Sequence, residues 1–504
     1  MAIKPVDKVF EKHRGMNDLS DLKRIEDDHC SQIINFDYVP AAEGRVHLEM
    51  RCGTTKDTMT AALAGATPIN GLEVVNYTDG VETIFAHGTK VYKLGTTPTT
   101  LLSGVTTGKM FDFAMLEDTL LLSNGTDDMY EKTYGNLPVA YSAAPKAKYL
   151  HQWHNYIYAA GMTANKDRVQ RCELANKDVW PAGGIEDRPY GEVTGLGSLK
   201  DVLYIFYLNA IEQLTGYSSD DFTWDKFADI GCISHFGIVS NGSTIFFPSR
   251  DGFWAIGQLG ATDQTVGGSS LIKLGSEKIK TFWDTLDLSR DLIHGVHDAD
   301  NHKIRWSVRR LGQTKNDREI FFDFDPNVLG FGVTEGMDAS CYALGTNATT
   351  AAHQVKFGSS AAGVIYKIDK NANTDDGDTI EGTIITKAYD FGRPDLPKRF
   401  NTFTPLVKGR ASQTPIKVSY GVGEFPGFEQ DKTITTPALP VYGTAVYGTD
   451  LYTQDTFKNY PIAIRRMGES MTVKMECNTA SKRARIAGWT INAQVMNKKI
   501  KSEV

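Results

Sequence analysis

Short apolar runs separated by tight turns dominate the middle of the chain. Four copies of one pattern are clear, each with an apolar strand, a glycine-bearing turn and a second strand with a central aromatic residue. They occupy residues 83–94, 120–130, 245–256 and 355–368. Each copy predicts a β-hairpin with one buried face, since glycine supplies the positive φ that tight turns need. Residues 151–158, 203–214 and 303–324 carry the same strand pattern with altered turns.

These repeats predict an all-β fold. About seven units between residues 72 and 368 indicate a β-propeller of six or seven blades, because four-stranded blades bury their faces only against neighbouring blades. The polar, turn-rich residues 369–379 are predicted to form a linker. Further strand candidates in 380–504 predict a C-terminal β-sandwich-like module. Residues 1–71 are predicted to form an N-terminal arm, packed on the outside, and the first strands.

Composition narrows the classes of function. A net charge of −7 and a pI near 5.9 provide no basic footprint for nucleic acid, which argues against a sequence-reading DNA binder. No stretch approaches the ~20 apolar residues of a membrane span, and the first residues lack a signal peptide's apolar core, so we expect synthesis in a cytoplasm. The six cysteines are scattered without a C-x-x-C pair, which predicts reduced thiols rather than a zinc site or disulfides.

Motifs for catalysis are missing from the sequence. It has no G-x-S-x-G elbow, no H-E-x-x-H and no phosphate-binding loop. His151 and His154, three residues apart on a predicted strand, should point to opposite faces and serve structure. The acidic run from Asp369 lacks an EF-hand's sixth-place glycine and twelfth-place glutamate, where Thr374 and Ile380 stand. We therefore predict no enzyme, no cofactor and no metal site.

One loop favours a contact surface. Tyr442, Tyr447 and Tyr452 alternate with glycines and threonines and form no period-two strand. Tyrosine is enriched in interfaces, because its ring buries apolar area while its hydroxyl stays hydrogen-bonded. The loop is predicted to contact another subunit or a partner protein, and packing within the chain is the alternative.

Three segments, in order, carry a family resemblance. The first is Asn35 with the run from Gly44-Arg45 to Arg51-Cys52-Gly53. The second runs from Arg168-Val169 to Trp180-Pro181. The third runs from Gly231-Cys232-Ile233-Ser234-His235 to the hairpin that holds Ser249-Arg250-Asp251-Gly252-Phe253-Trp254. Together they resemble a family of tailed-bacteriophage virion proteins, the podovirus-like tail nozzle, tail tubular or packaged-DNA stabilisation β-propeller proteins. The third segment is the most similar, and in the first Cys52 replaces the family's usual proline.

The resemblance implies a ring of subunits, expected to be a homohexamer, at the head–tail junction or tail nozzle of a virion. Its implied partners are the portal, the adaptor and other tail proteins. Genomic double-stranded DNA would pass through the lumen without sequence readout and be retained until ejection. The protein would be made in the cytoplasm of the bacterial host. The alternative is a carbohydrate-binding or carbohydrate-cleaving receptor-recognition propeller of the tail, which needs carboxylates and aromatic rings at one mouth.

Overall fold

The computed structural model of the protein describes residues 5–18, 21–257, 270–346, 352–408, 415–423, 427–428, 430–435, 457–479 and 483–496. Over these residues the chain is almost entirely β-strand. Its helices are α1 (Lys280–Trp283) and the 3-10 turns Ala42–Gly44, Ala182–Gly184, His235–Gly237, Ser276–Ile279 and Ala299–Asn301. No helix in the described ranges has the length and apolar character needed to cross a membrane.

Five strands come first along the chain. They are β1 (Val6–Phe10), β2 (Cys30–Ile34), β3 (Phe36–Pro40), β4 (Val46–Met50) and β5 (Gly53–Lys56). A series of four-stranded antiparallel units follows. The first unit contains β6 (Ile69–Tyr77), β7 (Gly80–His87), β8 (Lys90–Lys93) and β9 (Thr99–Ser103). The second contains β10 (Asp112–Leu116), β11 (Thr119–Ser123), β12 (Met129–Lys132) and β13 (Val139–Tyr141).

The next three units have the same strand order. The third unit contains β14 (Tyr149–Trp153), β15 (Tyr156–Ala160), β16 (Arg168–Arg171) and β17 (Ile185–Asp187). The fourth contains β18 (Val193–Leu199), β19 (Val202–Tyr207), β20 (Ile211–Thr215) and β21 (Thr223–Ala228). The fifth contains β22 (Val239–Ser240), β23 (Thr244–Ser249), β24 (Gly252–Gly257) and β25 (Ser270–Lys273).

Two more four-stranded units complete the series and belong to a longer continuous sheet. The sixth contains β26 (His294–Asp298), β27 (Lys303–Val308), β28 (Arg318–Asp323) and β29 (Gly330–Glu335). The seventh contains β30 (Ala339–Thr346), β31 (His353–Ser359) and β32 (Ile365–Asp369), with β5 as its fourth strand. An early strand therefore closes the last unit.

The units are arranged in a ring. The first strands of successive units, from β10 to β30, lie side by side, and β30 lies against β6. The backbone N–H of Phe111, just before β10, donates to the carbonyl oxygen of Asn70 in β6, which joins the first two units. This arrangement of four-stranded sheets confirms the predicted all-β, propeller-type fold.

Apolar side chains from both neighbours fill the interfaces between units. Ile84 and Leu122 are fully buried in one cluster between the first and second units. Phe253 and Trp306 stack with their ring centroids 4.0 Å apart between the fifth and sixth. Burial of each such side chain contributes about 1.5–3 kcal/mol, and a unit obtains it only from its neighbours.

The remaining strands come from the C-terminal part of the chain, and all of them except the short β33 belong to a β-sandwich. They are β33 (Thr374–Asp375), β34 (Asp378–Thr386), β35 (Lys398–Lys408), β36 (Pro415–Gly423), β37 (Gln430–Thr435), β38 (Phe457–Asn459), β39 (Ile462–Gly468), β40 (Ser470–Thr479) and β41 (Arg485–Val495). One layer has the order β3-β4-β41-β35-β38, with β1 also on β41 and β39 on β35. The other layer runs β2-β34-β40-β36-β37. Ile384, Phe403, Val418 and Trp489 share the buried core between them.

The N-terminal segment differs from the predicted outer arm. Strands β1 to β4 pair within the two sandwich layers, with Val6 opposite Ala493 and Leu48 opposite Ile486. Phe10 and Phe36 lie in the sandwich core. An unpaired strand edge carries free N–H and C=O groups, and the early strands satisfy these groups along β41 and β34. The sandwich is therefore built from both ends of the chain.

Arg51 fixes the junction between the sandwich and the propeller. Its buried guanidinium donates to Asn35 Oδ1 at 2.9 Å, to the Glu335 carbonyl oxygen at 2.9 Å and to Asp375 Oδ1 at 2.9 Å. Asp375 belongs to the predicted linker, but β33 pairs there with both β5 and β34. The segment is thus held in the sheet that joins the two parts.

Candidate functional site: a closed axis

Polar side chains gather where the first strands of the units meet. This axial cluster consists of Glu73, Asp112, His151, Ser198, His235 and His294. Strand β22 has only two residues, and the 3-10 turn His235–Gly237 precedes it. This turn brings His235 and Phe236 to the axis, where the other units present longer strands.

His235 clamps the fifth unit to the second, three units away around the ring. Its Nε2 lies 2.9 Å from Asp112 Oδ2, and its Nδ1 accepts from the Leu196 N–H at 3.2 Å. Because Nδ1 accepts, Nε2 carries the proton and donates to Asp112. The same carboxylate oxygen accepts from the Leu150 N–H at 2.6 Å. Both imidazole nitrogens are occupied, so this Asp–His pair has no free nitrogen for catalysis.

A second clamp holds the adjacent residue, Phe236. Its ring stacks on His294 with centroids 4.8 Å apart and planes 10° apart, and it meets Tyr149 edge-on at 6.2 Å. The Tyr149 hydroxyl donates to Asp291 Oδ2 at 2.9 Å, and Lys148 also bonds this carboxylate. Burial, followed by Asp291, raises the pKa of Tyr149 far above its ordinary value, so the phenol stays protonated. The protein's own side chains thus plug the axis.

One pair in the cluster has the spacing of a nucleophile and its base. His151 Nε2 lies 2.9 Å from Ser198 Oγ. Burial lowers the pKa of His151 to about 4, with His235 as the next cause, so this imidazole is a weak base at neutral pH. The His151–Ser198 pair is thus poorly suited to nucleophilic catalysis. Burial also raises the pKa of Glu73, elsewhere in the cluster, to about 8, which keeps its carboxyl neutral at pH 7.

A cavity of about 440 Å³ adjoins the plug at one mouth of the propeller. Its lining includes Asn70, Asp291, His294, Asn316 and Ser340, and among the described residues it has no Phe, Tyr or Trp. The one carboxylate that those residues contribute, Asp291, is already bonded to Tyr149 and Lys148. Across the described residues, no group of three or more His, Cys, Asp or Glu side chains is arranged to hold a metal ion.

The residues singled out in the sequence have different surroundings. His151 faces Ser198, whereas His154 lies in the turn after β14 and donates through Nδ1 to the Gly216 carbonyl oxygen at 3.1 Å. Tyr442, Tyr447 and Tyr452 lie outside the described residues. All six cysteines are free thiols, five of them buried.

Sequence reasoning missed the axial clamp, the hydrogen bond between His235 and Asp112. Asp112 and His235 are separated by 123 positions, and neither belongs to a recognisable catalytic motif. The only available signal was the run that begins at Gly231, which carries the strongest family resemblance and leads directly into the plug.

Comparisons with known proteins add little to this picture. No family model and no curated protein matches the chain. Among solved structures, it is similar to the computationally designed Ika8 protein, at 10% identity over 62% of this chain and 99% of that one, with a TM-score of 0.37. It is also similar to the AfRom2 CNH domain, at 9% identity over 63% and 99%, with a TM-score of 0.40. Likeness at this level carries no argument about function.

Proposed function

We propose that this chain is a structural protein of a tailed-bacteriophage virion, a subunit of a ring at the head–tail junction or tail nozzle. The resemblance of three sequence segments to the tail-protein family supports this assignment. The closed axis is the structural observation that carries the proposal. Ligand sites favour concave, open pockets with a few convergent polar groups, and at the propeller axis that space is filled by His235 and Phe236, which are clamped there. A propeller of this kind serves as a rigid body that works through its outer surfaces.

The plug also bears on the path of DNA. Because the propeller axis is filled, genomic DNA would pass through a lumen formed between subunits. Each phosphate contact made by lysine or arginine releases counterions and strengthens binding. A subunit with a net charge of −7 gains little from such contacts, which suits a conduit that must release DNA without sequence readout.

Electron microscopy and analytical ultracentrifugation test the proposed assembly. The purified full-length protein is examined alone and after mixing with the portal and adaptor proteins of the same phage. We expect closed rings of six subunits, seated on the portal–adaptor complex. A protein that stays monomeric in both samples would overturn the proposal.

The tyrosine loop provides a second test. Replacing Tyr442, Tyr447 and Tyr452 together by serine should abolish ring formation. Each tyrosine that acts as a hot spot would contribute about 1–3 kcal/mol to the free energy of subunit association. The melting temperature of the monomer should change little. Tyr134→Ser serves as the control, since this tyrosine is 37% exposed on the propeller. Normal assembly of the triple variant, or its unfolding, would contradict an interface role.

The alternative function places carbohydrate recognition or cleavage at a propeller mouth. The cavity at the described mouth has no large aromatic ring and no uncommitted carboxylate, so it does not favour this function. We expect no turnover when the pure protein is screened against glycan and nucleic-acid substrates. Reproducible hydrolysis that disappears in a Ser198→Ala variant would refute a purely structural role.

A further inference from the structure

Charge is divided unevenly along the chain. Residues 380–504, which supply most of the sandwich, contain 18 lysines and arginines against 11 aspartates and glutamates, a net charge of +7. Residues 1–379, which supply the whole propeller, contain 36 and 50, a net charge of −14. The value of −7 for the whole chain is therefore the sum of an acidic part and a basic part, and such asymmetry is typical of proteins that bind a polyanion.

The excess of cations is concentrated in neighbouring strands of one sandwich layer. Strand β35 pairs with β38 and β39 on one side and with β41 on the other. All four strands contain lysine or arginine, and none of them contains aspartate or glutamate. We call the outer three strands, β35, β38 and β39, the basic edge. Its exposed or half-exposed cations are Arg399, Lys408, Lys458, Arg465 and Arg466.

Three of these cations have no anionic partner within the described part of the chain. Among those residues, no carboxylate lies within ion-pair distance of Arg399, Lys458 or Arg465. Their charges are therefore available to a ligand without the loss of an existing salt bridge.

The turns at the ends of the basic edge do not neutralise it. Residues 387–408 and 457–469, which include these turns, contain eight lysines and arginines against three carboxylates. Two of the three have cationic neighbours, since Asp395 pairs with Arg393 and Glu469 lies 3.8 Å from Lys23 Nζ.

The cations stand at both ends of the basic edge. Arg399 lies at the end of β35 that pairs with residues 466–468, and Lys408 lies at the end that pairs with residues 457–459. Nine residues of extended strand separate the two ends by about 30 Å. One turn of B-form DNA is about 34–36 Å long, so a duplex lying along the strands would bring its backbone to the protein at both ends.

Polar, uncharged side chains lie between the two basic ends. Asn401, Thr402 and Thr404 are half-exposed on β35, and Asn401 Nδ2 donates to Asn492 Oδ1 at 2.7 Å. Asparagine and threonine, like lysine and arginine, commonly contact phosphate oxygens. The core of a protein–protein interface is instead depleted of charge and rich in aromatic rings. The composition of the basic edge therefore favours a sugar–phosphate backbone over the acidic surface of a second copy.

We propose that the basic edge binds the backbone of double-stranded DNA without reading its sequence. Its cations would displace counterions from the phosphates, whereas the acidic propeller of the same subunit repels the duplex. A few exposed contacts of this kind hold DNA reversibly, because salt screens each of them. The orientation of this edge toward a lumen rests on the proposed ring function, but the binding itself does not.

Fluorescence anisotropy with a labelled duplex of about 20 base pairs tests the proposal on the full-length protein. The variant replaces Arg399, Lys458 and Arg465 together by glutamine. At about 50 mM salt, we expect it to bind the duplex at least about tenfold more weakly than the parent protein. The slope of log affinity against log salt concentration should become shallower by about 2.7, because each lost phosphate contact removes about 0.9. A duplex of unrelated sequence should give the same result.

The matched control replaces Lys90, Lys109 and Lys200 together by glutamine. These lysines are exposed on the propeller, and their loss changes the net charge by the same amount. The control should bind DNA as the parent does, which separates local contacts from net charge. Both variants alter exposed or half-exposed side chains and should melt with the parent. Arg465→Gln alone should weaken binding by a smaller factor, so the test holds even if the triple variant fails to fold.

Three results would overturn the proposal. One is that the parent protein does not bind the duplex at about 50 mM salt. Another is that the triple variant keeps the parent's affinity, or that the control loses as much. The third is that no DNA binds and only the triple variant fails to form rings in sedimentation, which would assign the basic edge to a neighbouring subunit. Rings without DNA binding would leave the proposed function standing, whereas DNA binding by a protein that never forms rings would refute that function alone.

Discussion

Lys132 and Glu82 form a buried ion pair between the first two units, and removing one of the two charges should lower the free energy of unfolding. The Lys132 side chain is fully buried and that of Glu82 is 1% exposed. Lys132 Nζ bonds Glu82 Oε2, and Lys93 donates to Oε1 at 2.8 Å. Burial tends to raise the pKa of Glu82, but bonds from Lys132 and Lys93 outweigh it and hold that pKa below its ordinary value.

The expected loss can be estimated. Breaking a buried pair by removing one partner costs about 3–5 kcal/mol, because the other charge stays buried. Lys132→Met leaves Glu82 with Lys93, so we expect the lower end, about 3 kcal/mol. At an unfolding entropy of about 2.1 cal/mol/K per residue, a chain of 504 residues loses about 1 °C for each kcal/mol. The melting temperature should therefore fall by about 3 °C.

A double-mutant cycle measured by calorimetry checks this estimate. Replacing both partners with apolar residues, Glu82→Leu with Lys132→Met, removes the stranded charge and should restore most of the lost stability. If Lys132→Met melts with the parent, or the double variant is less stable than either single variant, the cost does not come from an unpaired buried carboxylate.

Arg51 and two buried histidines give further testable outcomes. Arg51→Ala should lower the free energy of unfolding by about 3 kcal/mol, because Asp375 loses its partner, and thermal unfolding measures it. Burial lowers the pKa of His13 and His294 to about 4 from 6.5. Below pH 6.5 these imidazoles bind protons in the unfolded chain but stay neutral in the folded one until about pH 4. The free energy of unfolding therefore falls as the pH drops, by about 2 kcal/mol for each histidine at pH 5 relative to a pH well above 6.5. The melting temperature of His294→Gln should therefore fall less between pH 7 and pH 5 than that of the parent protein. An equal fall would contradict burial of the neutral imidazole.

The hairpins predicted from sequence correspond to the middle strands of units. Residues 83–94 and 245–256 span β7 with β8 and β23 with β24. Middle strands have neighbours at both edges and pack on both faces, so their apolar runs are long and easily recognised. First strands carry weaker signals, as in β18, where Gly195 and Gly197 leave room for Ile238. Outer strands such as β9 are largely exposed.

Long-range pairing explains what sequence reasoning could not predict. Strand β1 pairs with β41 almost five hundred residues later, and its pattern of five residues says nothing about that partner. The axial clamp has the same character, since the Asp112 and His235 side chains meet only once the ring has closed. The stacking of Tyr217 on His154 was equally hidden, because the two rings come from consecutive units and meet only when those units pack together.

The order of the strands suggests why the two parts belong together. The sandwich takes β1 to β4 from before the propeller and most of its strands from after it, while β5 crosses over to close the seventh unit. Opening the propeller at that unit would break the pairing of β5 with β32 and β33 and disturb the Arg51 contacts at once. Closure of the ring and assembly of the sandwich are thus coupled through one segment. Such coupling would serve the proposed ring subunit, in which the propeller and the sandwich must keep one fixed arrangement.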